Sequence, residues 1–255
     1  MIKKIFAPAL AAGVIAGVLI SGLQAVTTTP LIHAAETYET AAAPAAPQPA
    51  VFQAGDARIL LAHSGAEHDH DGGPWAPEDG LERTAFTAMA NILIGCGYAL
   101  LLTAGFALAG RSVDARRGLV WGAAGFAAFT LAPAAGLPPE LPGTLAAELG
   151  ARQAWWVFAA VATAAGLWLT VFARPGALKW PMTLGGLLLI AAPHLIGAPH
   201  PESLGGTLVP AELSAHYAAL SIAVGAVFWA LIGWMSGHFW ARIEAEEQQG
   251  AGGGD

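Results

Sequence analysis

Residues 192–217 run APHLIGAPHPESLGGTLVPAELSAHY, and residues 132–153 run APAAGLPPELPGTLAAELGARQ. Both contain Ala-Pro, a Gly-rich turn, a Pro-Glu or Pro-Pro-Glu step, Gly-Thr-Leu, and then Ala-Glu-Leu-x-Ala followed by a basic residue. Each lies between two apolar runs, so each joins an outgoing helix to a returning one. A fainter copy, Pro77 to Arg83, precedes another apolar run. The repeat predicts a helical hairpin used three times in parallel orientation, as in transporters built from parallel repeats.

Working outward, six apolar runs lie near 5–29, 85–110, 117–136, 153–173, 180–197 and 213–238. Each is close to the roughly 20 residues needed to cross a bilayer. Charged residues make up only 11% of the 255-residue chain, against about a quarter in soluble domains. The expected fold is therefore all-α, a polytopic membrane protein of about six transmembrane helices. Its divisions are a first transmembrane helix over 1–29, an extracytoplasmic Ala/Pro linker and His/Asp-rich loop over 30–84, a five-helix bundle over 85–240, and a disordered cytoplasmic tail over 241–255. The first run follows Lys3-Lys4 like a signal peptide, but its apolar stretch from Ile5 to Val26 exceeds a signal core, so an uncleaved helix is expected. Small residues in the spans, including Gly13, Gly17, Gly122, Gly125, Gly185 and Gly186, predict close helix contact.

Basic residues set the orientation. With the N-terminus inside, Lys3, Lys4, Arg111, Arg116, Arg117, Arg174, Lys179 and Arg242 fall on the cytoplasmic side, and Arg58, Arg83 and Arg152 fall outside. Eight against three places both termini in the cytoplasm, with the bacterial inner membrane as the location. A net charge of −7 argues against nucleic acid as a partner. The lone Cys96 rules out an intrachain disulfide or a thiolate cluster, and no lysine sits in a Walker loop.

Histidine placement points to the chemistry. In this arrangement His33, His63, His68, His70, His194, His200 and His216 lie outside and only His238 inside. His194 and His200, with Glu202, occupy positions around the third repeat's turn, where the second repeat has Ala134 and Pro139 in place of the histidines. Asp79 and Arg83, Glu148 and Arg152, and Glu212 and His216 share one i,i+4 spacing, which puts each pair on one helix face. The first two predict structural ion pairs. In the third, imidazole replaces guanidinium and, unlike it, can ligate a metal when neutral. His194, His200, Glu202, Glu212 and His216 together form a nitrogen/oxygen set suited to a divalent ion, with His68 and His70 as a metal-gathering segment ahead of it. Hydrogen bonding of these histidines to carbonyls freed near prolines is the plainer alternative, and a proton-sensing role would use the same residues. No nucleophile is matched to a general acid, so an enzyme is not expected, nor a permanently bound cofactor.

The N-terminal helix with its His/Asp loop, the string from Trp75 to Thr84, the segment Leu131 to Gly143, Ala151-Arg152-Gln153-Ala154-Trp155-Trp156, and Pro193 to Glu202 together resemble the CbtA family of predicted cobalt transporter subunits. The resemblance implies cobalt uptake in organisms that need cobalamin, with a small single-span His-bearing partner, CbtB. The metal identity comes from the family, because nitrogen and oxygen ligands do not separate cobalt from nickel or zinc. The expected function is a membrane subunit that captures a divalent ion outside and passes it inward. A non-transporting accessory or metal-sensing subunit that delivers metal to a separate permease is the rival.

Overall fold

The structure is a computed structural model that describes residues 2–42, 53–54, 57–58, 77–172, 176–201 and 208–252. Helix α1 spans Ile2–Val26, and α2, Thr28–Ala42, follows it after a one-residue break at Thr27. Two-residue strands β1 (Gln53–Ala54) and β2 (Ala57–Arg58) pair antiparallel. Then come α3 (Leu81–Ala109), α4 (Ala115–Phe126) running through a π-turn (Ala127–Leu131) into α5 (Ala132–Gly136), α6 (Leu149–Val171), α7 (Lys179–Ile196) and α8 (Ala211–Gly252).

Among the described residues five helices are long and apolar enough to cross a membrane: α1, α3, the α4–α5 rod, α6 and α8. The sixth expected span, α7, has 18 residues, about 27 Å at 1.5 Å per residue, and carries Lys179, Pro181, Pro193 and His194. It nevertheless runs antiparallel to α6, with Gly186 against Gly166 and Thr170 on one side and Ile190 against Gly166 on the other.

Glycine pairs let backbones touch. A Cβ on Gly13 would collide with the Cys96 nitrogen, and one on Gly118 with the Gly233 oxygen. Such approaches supply van der Waals packing where lipid offers no hydrophobic drive between helices. They set the close pairs as α1 with α3, α4 with α8, and α6 with α7. Only the first of the three sequence hairpins therefore packs chiefly within itself. The other two are exchanged, because the glycine faces of α4 and α8 match each other. Of the expected small residues, Gly185 meets nothing within 4 Å.

The centre is aromatic and small. Ala9, Ala12 and Ala16 of α1 are buried together with Ala99, Leu102 and Phe106 of α3 and Trp229, Ile232, Met235 and Trp240 of α8. Val18, Leu93, Val120, Val161 and Leu188 are exposed on the outside of the bundle, as a lipid-facing surface requires.

Two stretches differ from expectation. Residues 28–42, assigned to the linker from residue 30 onward, form helix α2. The Ala35 side chain is fully buried beside Leu141 and Val209, and this docking supports a helix whose own sequence is polar. The tail is helical through Gly252 rather than disordered from residue 241, with Lys4 Nζ 2.8 Å from Glu244 and 3.7 Å from Glu247. Those ion pairs also bring the two ends of the chain to one face.

Candidate functional site

The expected ligands of the last two helices are spread out. His194 is exposed in the last turn of α7, its ring edge-on to Trp155 at 6.0 Å. His200 is exposed beyond that helix, and Glu212 and His216 are exposed on the first turns of α8. Because α7 packs on α6 while α8 packs on α1 and α4, these side chains are not drawn to one point. Among the described residues no three His, Cys, Asp or Glu side chains are grouped to hold a metal ion. Glu202, His68, His70 and the Ala43–Ala50 part of the linker lie outside the described residues.

The ion pairs divide. Arg83 Nη1 donates to Asp79 Oδ1 at 2.9 Å as expected, and Nη2 donates to Glu36 of α2, which sequence spacing did not indicate. Arg152 does not pair with Glu148; its Nη2 donates to Glu140 Oε2 at 2.6 Å. Glu148 instead caps α6, accepting from the Gly150 and Ala151 amides at 2.7 Å each. Those two backbone hydrogen bonds favour the charged carboxylate and lower its pKa.

What the fold does bring together is a cavity of about 580 Å³ enclosed by α1, α2, α3 and α8, with Pro139 at its edge. It reaches from Gly80 and Arg83 to Ile94 along α3, roughly 16 Å of helix, and from Tyr217 to Phe228 along α8. Ser21, Gln24, Thr28, Thr29, Thr84, Thr87, Asn91, Tyr217 and Ser221 give it polar atoms, of which Asn91 and Ser221 lie ten residues into α3 and α8 and Ser21 lies five residues from the end of α1. Asn91 Nδ2 donates to Ser21 Oγ at 3.0 Å and to Gln24 Oε1 at 2.7 Å, which fixes three of those side chains across the α1–α3 interface. Polar groups at such depth are costly and mark pathways or partners.

At the mouth, α2 overhangs. Arg83 ties it down through Glu36, and His33 Nδ1 lies 3.1 Å from Glu36 Oε2. The Arg83 hydrogen bond holds the Glu36 carboxyl below its usual range, against the opposing effect of burial. Phe228 lines the deep end of the cavity. It belongs to an aromatic group in which Tyr98 sits 4.7 Å from Trp229, Phe129 stacks on Trp229 at 5.6 Å, and Trp229 Nε1 donates to Thr130 Oγ1 at 3.0 Å. Thr130 lies in the π-turn, one register slip before Pro133, whose missing N–H and ring disfavour an ordinary α-turn there. A second, more open groove of about 630 Å³ lies between the α5 turn and α6, with Arg152 and Glu140 in its wall.

Sequence reasoning missed Gln24, Asn91, Ser21 and Glu36. The first three carried a signal: amide and hydroxyl side chains inside apolar runs. Glu36 carried none, since its pairing with Arg83 spans 47 residues.

No curated protein and no solved structure gives a significant match. One family does: the model described as "Probable cobalt transporter subunit (CbtA)" matches residues 2–241. That match covers nearly the whole of a chain with five apolar membrane-length helices, and the chain belongs to the CbtA family of probable cobalt transporter subunits.

Proposed function

We propose that the chain is the membrane subunit of a divalent metal uptake system, cobalt by family, and that the ion enters from the periplasmic side through the cavity between α1, α2, α3 and α8. The observation that carries this reading is the line of polar side chains from Arg83 down to Asn91, Gln24 and Ser21 inside otherwise apolar helices. The basic-residue bias supports a reading in which the α1 end bearing this mouth faces outward and both termini are cytoplasmic, and the location that goes with it is the bacterial inner membrane. In this reading His68 and His70 gather the ion ahead of the mouth. His194, His200, Glu202, Glu212 and His216 form a second outer collection surface across α7 and α8, and not one closed site. The membrane potential favours inward movement of a cation. The family's "subunit" description fits a partner such as the single-span CbtB.

A specific observation favours the rival. Phe228 lines the deep end of the cavity and packs on Tyr98 and Trp229, an aromatic backing that suits an accessory subunit handing metal to a separate permease. Uptake of labelled cobalt into vesicles containing the purified chain decides between them. Uptake that falls severalfold in Asn91→Leu and less in His194→Ala and His200→Ala is the expected result. No uptake by the wild type leaves the accessory role.

A further inference from the structure

Three hydroxyls of the cavity, those of Ser21, Thr84 and Thr87, are polarised in one direction. Ser21 Oγ donates its hydrogen to Gly17 O at 2.7 Å, Thr84 Oγ1 to Gly80 O at 2.8 Å, and Thr87 Oγ1 to Arg83 O at 2.8 Å. A hydroxyl has one hydrogen and two lone pairs. With the hydrogen committed to its own helix, each of these groups can meet a guest only as an acceptor. The Asn91 amide hydrogens are likewise committed to Ser21 and Gln24, which leaves its carbonyl oxygen as the free end. At the mouth the Arg83 guanidinium is bonded to two carboxylates, Asp79 and Glu36, which offset its positive charge toward a cationic guest.

A guest that presents donors and positive charge complements these four oxygens, of Ser21, Thr84, Thr87 and Asn91. A hydrated divalent cation is such a guest: every water turns its oxygen to the metal and its hydrogens outward. About six waters of roughly 30 Å³ each occupy about 180 Å³, so the ion and its shell fit within the cavity's 580 Å³. Among the described lining residues the ionisable side chains are His33, Arg83 and Tyr217, so the wall offers neutral oxygens for hydrogen bonds in place of a closed ligand set that would displace water.

We propose that this cavity binds its divalent cation with the hydration shell intact, through hydrogen bonds from bound water to Ser21, Thr84, Thr87 and Asn91. The proposal rests on the uptake reading and names the form in which the substrate is held. It implies weak discrimination between cobalt and nickel at this point, because the hydrogen bonds reach the shell and not the metal.

Hexaamminecobalt(III) tests it, since its ammines do not exchange and it offers N–H donors with no open coordination position. Calorimetric titration of the purified full-length chain is expected to show binding, weakened about tenfold or more by the near-isosteric pair Thr84→Val and Thr87→Val and again by Asn91→Leu. Helical content and melting of each variant are checked by circular dichroism, and the exposed threonine positions keep one variant readable if Asn91→Leu does not fold. Failure of the hexaammine to bind, or binding unchanged in the threonine variant, overturns the proposal. Because the titration needs no transport, absence of cobalt uptake in vesicles would remove the permease reading alone.

Discussion

Glu36 is the residue on which the outer end of the molecule turns. It joins α2 to the start of α3 through Arg83, with both side chains about one-third exposed, so the pair contributes about 1 kcal/mol or less. Its carboxyl is held below the usual range by the Arg83 hydrogen bond. A depressed folded pKa gives stability that is fully present above the unfolded carboxylate pKa and is lost as pH falls through the folded one. The docking of α2 should therefore be constant through neutral pH and weaken only in acid, below the ordinary carboxylate range. Glu36→Gln should remove that dependence and raise amide exchange along α2 at pH 7 by up to about fivefold. Hydrogen exchange read by mass spectrometry, corrected for intrinsic rates, checks both; a wild-type profile that already loosens near neutral pH would contradict the assignment.

The elements were legible in the sequence where apolar length alone decides them. Helices α3, α6, α7 and α8 begin within about four residues of the expected starts, because a bilayer span must be a long apolar run. Partner choice was not legible. Small residues announce that a helix will pack closely but not against which other helix, and the match of Gly118 and Gly122 to Gly233 emerges only in three dimensions. The same holds for α2, whose helix depends on the nest of Leu141 and Val209 far along the chain. The basic-residue count puts the candidate histidine ligands on the outer side, yet the polar cavity is lined mainly by amide and hydroxyl side chains set within apolar runs. Adjacent glycines on α7 offer a clean test of the packing argument. A Cβ on Gly186 would lie 2.6 Å from the Gly166 oxygen, whereas Gly185 has nothing within 4 Å. Gly186→Ala should part α6 from α7 and cost about 1–3 kcal/mol. Gly185→Ala should be neutral or stabilising by about 0.5–1 kcal/mol, as for Gly to Ala in an open helix position. Thermal unfolding in detergent distinguishes the two; equal effects would mean the α6–α7 contact is not as close as the backbone indicates.

At the scale of the whole molecule, the contacts fix the number of passes more firmly than hydropathy does. Gly13 against Cys96 and Gly17 against Ile92 make α1 and α3 antiparallel, and Gly118 against Gly237 with Gly122 against Trp229 do the same for α4 and α8. Trp121 near Trp168 and Phe129 near Trp156 turn α6 against α4, and Gly186 near Thr170 turns α7 against α6. The directions alternate through α1, α3, α4, α6, α7 and α8, and Lys4 beside Glu244 returns the chain to its starting face. Six crossings return the chain to that face, which supports counting the short, proline-bearing α7 as a crossing beside the five helices whose composition meets the requirement. The basic-residue bias supports the proposal that this shared face is cytoplasmic. A fluorescent protein that matures only in the cytoplasm should glow when fused after Asp255, and alkaline phosphatase, active only in the periplasm, should be active when fused after His200. A dark C-terminal fusion with an active phosphatase at the same end would mean that α7 does not cross. The cavity mouth, the histidines of α7 and the start of α8 could then no longer share one side of the membrane.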